Sequence, residues 1–97
     1  MTKRELIAKN RDAILALAAK HGATNVRVFG SVARGEDDET SDIDVLVNME
    51  QGRSLLDMGG LLMDLRRLLG CTVDVVEEHD GMRPRFRKNV LRDAVPV

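Results

Sequence analysis

The sequence predicts an α/β (α+β) domain, a small mixed β-sheet of about three strands flanked by helices. Apolar residues recur at helical spacing over residues 2–21 and again from Ser54 to Leu69. Short β-rich runs stand between turn residues: NVRVF at 25–29, DIDVLV at 42–47 and TVDVV at 72–76. The last two runs are separated by one helix, the arrangement of a right-handed parallel crossover. At 97 residues, one domain spanning 1–97 accounts for the whole chain.

The first helix is read from Thr2 to about His21. Leu6, Ile7, Ala13, Ile14, Leu17 and Ala18 share one side of its wheel, and Glu5, Lys9 and Asp12 lie opposite. Thr2 and Glu5 have the spacing of a capping box, and Gly22 stops the helix. The first strand, Asn25–Phe29, ends at Gly30. A short Val32–Gly35 segment holds one helical turn, and Glu36–Thr40 is a polar loop without the glycine and alternate spacing of a calcium hand. Asp42–Val47 is the second strand.

Ser54 then caps a long helix to about Leu69, with Leu55, Met58, Leu61, Leu62, Leu65, Leu68 and Leu69 on its core side. Thr72–Val76 is the third strand. After the Asp80-Gly81 turn, Pro84 opens a last helix that runs to about Ala94. The order is α-β-turn-β-α-β-α, with the first two strands expected to pair antiparallel.

Composition narrows the function. A net charge of −1 argues against a general polyanion binder, so nucleic-acid binding is not expected. No apolar run approaches the roughly 18–20 residues of a membrane span, and the charged N-terminus lacks a signal peptide's apolar block. Cys71 is the one cysteine, which excludes an internal disulfide and points to a reducing, cytoplasmic setting with Cys71 as core filler.

The stretch VFGSVARGEDDETSDIDVLV, residues 28–47, carries the chemistry. Residues two apart on a strand face the same way, so Asp42 and Asp44 project together and away from Ile43, Val45 and Val47. Paired carboxylates repel unless one protonates or a cation is bound. If the third strand lies beside the second, Asp74 joins the same face, and three oxygen donors suit a hard cation such as Mg²⁺. Gly30-Ser31, after a strand and before a helical start, lets backbone N–H groups approach an anion, with the Ser31 hydroxyl and Arg34 close behind. A phosphate cradle beside such a trio suits Mg-nucleotide chemistry.

On these residues, G-S-V-A-R-G…S-D-I-D-V-L-V, the chain resembles the DNA polymerase beta-like nucleotidyltransferases. More narrowly it is similar to the minimal nucleotidyltransferase (MNT) domains, and R-P-R-F-R-K-N-V-L-R-D-A-V is similar to that family's C-terminal helix. The resemblance implies a nucleotidyltransferase fold. It also implies that Gly30, Ser31, Arg34 and Ser41 bind ATP, while Asp42, Asp44 and Asp74 form the catalytic, two-metal Mg²⁺ site. MNT domains of this size typically act as antitoxins that transfer AMP to a tyrosine of a HEPN-type ribonuclease toxin, with which they can assemble. Rival readings are an antitoxin that neutralises its partner by stoichiometric binding, and a transferase acting on a small molecule or tRNA end.

The chain has no tyrosine, so a tyrosine acceptor lies elsewhere, and Phe29 and Phe86 offer few stacking platforms for bases. Arg83, Arg85, Arg87, Lys88 and Arg92 make the last helix basic, suited to a solvated face or to attraction of ATP or an acidic partner. Leu56 and Met63 fall off the core side of the long helix and, with Gly59-Gly60, form a candidate partner contact. His21 and His79 sit in no zinc pattern.

Overall fold

A capping box starts the first helix of the computed structural model, which describes Met1–Val97. The Thr2 hydroxyl accepts from the Glu5 N–H at 3.1 Å, and the Glu5 carboxylate accepts from the Thr2 N–H at 3.1 Å. The expected single helix is two, α1 (Lys3–Lys9) and α2 (Arg11–Lys20). Asn10 makes the break. Its backbone leaves the helical region (φ −103°, ψ 14°), and its side-chain amide donates to the Leu6 carbonyl at 2.8 Å. Both segments still turn the expected side inward, burying Ile7, Ile14 and Ala18.

The chain continues as β1 (Ala23–Phe29), α3 (Gly30–Arg34), β2 (Ile43–Met49), α4 (Leu55–Leu69), β3 (Val73–Glu77), α5 (Pro84–Asp93) and β4 (Val95–Pro96). The sheet has four strands in the order β3-β2-β1-β4. β1 pairs antiparallel with β2, and β2 pairs parallel with β3 across α4, as the spacing predicts. β4, absent from the sequence reading, pairs with β1 through Arg27–Pro96 and Val28–Val95. Two residues, one a proline, carry no strand periodicity. β1 starts earlier than expected, and its register shifts between Thr24 and Arg27, where Asn25 takes φ 51°.

One face of the sheet holds the core. Val28, Ile43, Val45, Val47 and Val73 pack with Leu61, Leu65 and Leu69 of α4 and with Ile14 and Ala18 of α2. Full burial of a side chain such as Leu61 contributes roughly 1.5–3 kcal/mol. Leu55 corrects the expected core side: it and Leu56 are each 86% exposed. At ~100° per residue Leu55 lies about 240° around the wheel from Leu61, outside the buried stripe. Cys71 packs against the core as a half-buried filler.

The opposite face is mixed. Leu46 and Val90 are buried there, outside the main cluster. Beside them the buried Arg27 guanidinium meets Glu78 at 2.7 Å and donates to Asn48 Oδ1 at 3.0 Å. Arg87 of α5 donates to the same Glu78 at 3.1 Å. At the other end of this face, Phe29, Asp44 and Asp74 stand in one row across three strands.

Candidate active site

That row brings together two of the three acidic residues picked out in the sequence, Asp44 and Asp74. Asp44 and Asp74 are register partners on adjacent parallel strands, so their side chains leave the same face of the sheet. Adjacent strands are about 4.8 Å apart. Asp42 sits one residue before β2, at its entry, and is exposed. The Asp44 carboxyl is pushed above its ordinary range, first by burial, then by the Asp74 charge and then by Asp42. Arg34 offsets part of that push.

Gly30 is fitted to Asp44. It takes φ 74°, a left-handed conformation that glycine adopts without strain, and a Cβ added there would clash with an oxygen of Asp44. Glycine therefore serves two demands at once: it turns the chain from β1 into α3, and it lets Asp44 lie against the turn. No side chain caps the start of α3, so the backbone groups of the Gly30-Ser31 turn face no competing cap.

The remaining expected residues are held by neighbours. Arg34 donates from Nε to Glu36 Oε2 at 2.9 Å and from Nη1 to Asp93 Oδ2 at 2.8 Å. Bonding to Glu36, and then to Asp93, strengthens its hold on its proton. Its Nη2 group bonds to neither, so a phosphate contact there would leave both partners in place. The Ser41 hydroxyl accepts from the Asp38 N–H at 3.0 Å and donates to Asp38 Oδ1 at 3.2 Å. Ser41 thus closes the turn that delivers the chain to Asp42.

Two residues missed in the sequence also shape the site. Lys3 Nζ donates to the carbonyls of Asp38 and Ser41, pinning the loop before β2 to the start of α1. Arg66 of α4 donates from Nε to the Val73 carbonyl at 3.0 Å, and its Nη2 lies 3.6 Å from Asp74 Oδ1. Nothing local in the sequence marks that pairing.

The donor set suits a hard divalent cation. All three side chains offer only oxygen, and a cation would relieve the repulsion by Asp74 and Asp42 that adds to burial in raising Asp44. The trio is nevertheless an open row rather than a closed cage. No three acidic, histidine or cysteine side chains stand close enough together to hold an ion, and Asp74, 51% exposed, leans towards Arg66. Asp42 and Asp44 are the residues that would hold the metal first, with Asp74 joining once it leaves Arg66. No helix is long and apolar enough to cross a membrane.

Residues 11–97 match the nucleotidyltransferase domain family. A candidate protein adenylyltransferase of Methanocaldococcus jannaschii is 42% identical over 84 residues, covering 87% of this chain and 89% of the relative. Protein adenylyltransferase MntA of Thermococcus cleftensis is 41% identical over 81 residues, covering 84% and 81%. A solved structure of a candidate minimal nucleotidyltransferase superposes with a TM-score of 0.85 at 54% identity, covering 100% of this chain and 97% of the other. A chain of a toxin–antitoxin structure with AMP-PNP shares the fold at a TM-score of 0.74 and 21% identity, covering 90% of this chain and 71% of that one.

Proposed function

The chain belongs to the nucleotidyltransferase domain family, and from that premise we propose that it transfers AMP from ATP to a tyrosine hydroxyl of a HEPN-type toxin, as the antitoxin of the pair. The observation that carries this reading is the placement of Asp44, in register with Asp74 and seated against the Gly30 turn. Two relatives bear the name protein adenylyltransferase, which favours a protein acceptor. The absence of tyrosine from this chain agrees with an acceptor supplied in trans.

In the proposed reaction the acceptor oxygen bonds to the α-phosphorus of ATP. The bond from that phosphorus to the oxygen bridging to the β-phosphate breaks, and pyrophosphate leaves. Asp74, on the outer strand, takes the hydroxyl proton. The Gly30-Ser31 turn holds the triphosphate through its backbone and the Ser31 hydroxyl, with Arg34 as a further contact and Ser41 fixing the approach to Asp42. Asp42 and Asp44 would hold Mg²⁺, which would supply positive charge to offset that of the phosphates.

The test is the fate of label from ATP in the presence of Mg²⁺ and the protein encoded by the adjacent gene. Label from the α-phosphate should appear on that protein and label from the γ-phosphate should not. Transfer of the γ-label would make the chain a kinase and refute the proposal. The exposed Leu55, Leu56 and Met63 favour a second reading, neutralisation by stoichiometric binding. Full neutralisation by Asp42→Asn/Asp44→Asn at equimolar dose would select it.

A further inference from the structure

β3 is an outer strand of the sheet, with no strand paired on its far side. The Ile43 N–H donates to the Thr72 carbonyl at 3.0 Å, and the Glu78 N–H donates to the Val47 carbonyl at 2.8 Å. In this parallel register the peptide groups of Thr72, Asp74, Val76 and Glu78 turn towards β2. Those of Val73, Val75 and Glu77 therefore point outwards, where no strand follows. The Val73 carbonyl accepts from Arg66.

The two edges of the sheet are unlike. The β4 edge is two residues long and contains Pro96, features that keep an edge from pairing. The β3 edge offers five residues, Val73–Glu77, with no proline, lysine or bulge. It also carries Asp74. A further strand would lie about 4.8 Å from β3, with one side chain directly beside Asp74 on the carboxylate face.

We infer that the β3 edge is where the acceptor docks: an extended segment of the acceptor protein pairs with the outward groups of Val75 and Glu77 and carries its hydroxyl-bearing side chain to Asp74. This rests on the reading above that the acceptor is a protein. Outward N–H and C=O groups at strand spacing are met by an extended peptide backbone, the chemistry of β-strand addition. Arg66 couples docking to the site. It holds both the Val73 carbonyl and Asp74, so a segment that extends as far as Val73 and takes the place of Arg66 on that carbonyl frees the Asp74 carboxylate.

Amide hydrogen exchange on the wild-type chain tests this, measured alone and with the adjacent-gene protein plus a non-hydrolysable ATP analogue. The Val75 and Glu77 amides should slow at least tenfold in the complex, while the Asp74 and Val76 amides, already bonded to β2, change little. Unchanged exchange at Val75 and Glu77 overturns the inference. So does their protection in the chain alone as its concentration rises, because a second copy then covers the edge. Glu77→Pro removes one outward N–H without touching the β2 ladder. It should lower kcat/KM for acceptor labelling at least tenfold with ATP affinity within twofold, and equal labelling again overturns the inference. If the wild type labels no acceptor, the proposed reaction fails, and the exchange result still decides whether the edge is a docking site.

Discussion

An oxygen of Asp44 lies so close to Gly30 that a Cβ there would clash with it. The Gly30 turn and the Asp44 carboxylate are therefore one packed unit, and any side chain at Gly30 displaces Asp44. Gly30→Ala also forces alanine to φ 74°, which costs about 1–2 kcal/mol for the backbone alone. We expect chemical denaturation to show at least that loss, and transfer activity to fall by more than the stability loss explains. Activity within twofold of wild type would mean that Asp44 need not lie against the turn.

The position of Asp44 is held at the expense of stability. Burial, Asp74 and Asp42 raise its carboxyl above 3.8, so the native state keeps a proton at a pH where the unfolded chain has lost it. Stability therefore falls as pH rises from the ordinary carboxylate range through the native value. In a chelating buffer, Asp44→Asn should have a higher Tm than wild type at pH 7, and that gain should vanish below about pH 4. Added Mg²⁺ should raise the Tm of wild type more than that of Asp44→Asn, because only a site that binds the ion is stabilised by it. Thermal melts across pH and Mg²⁺ concentration check both signs.

Neighbouring glycines of α4 should respond oppositely to alanine. Gly59 faces open space, so Gly59→Ala should stabilise by about 0.4–1 kcal/mol. A Cβ on Gly60 would come within 2.7 Å of His21 Cε1. That ring binds Asp64 at 2.7 Å and ties the end of α2 to α4. Gly60→Ala should therefore destabilise, and urea melts of the two variants should move to opposite sides of wild type.

Removing one acid from an arginine pair should matter on the sheet and not on the surface. Glu78 is held below its ordinary range first by Arg27 and then by Arg87. Glu78→Gln leaves Arg27, only 9% exposed, without its anion, and should lower the Tm by ~5 °C or more. A lowered carboxyl contributes stability above its unfolded value and loses it as pH falls through the native one. The gap between wild type and variant should thus be full at pH 7 and close in acid. Glu36→Gln, at an exposed Arg34 pair, should change stability by about 1 kcal/mol or less.

What could be read from the sequence was local and periodic. The two-residue period put Asp42 and Asp44 on one side, and the strand–helix–strand order put Asp74 beside them, which the register of β2 and β3 bears out for Asp44 and Asp74. The caps at Thr2 and Ser54 were legible for the same reason, since each lies within a few residues of the groups it binds. Long-range side-chain partners were not. Lys3 reaches Ser41, and Arg34 reaches Asp93, across separations that leave no pattern. β4 was hidden because its two residues pair only where the tail meets β1. The Asn10 break arises from a side-chain bond to Leu6 that the apolar periodicity does not register.

The most direct measurement is single-turnover transfer of α-labelled AMP to the acceptor by wild type and Asp44→Asn, at saturating ATP and Mg²⁺. The account predicts that the variant, folded and at least as stable in chelator, loses a thousandfold or more of the rate, on the order of 4 kcal/mol of barrier. A rate within tenfold of wild type would contradict it, because the carboxylate seated against Gly30 and paired with Asp74 would then have no part in the transfer.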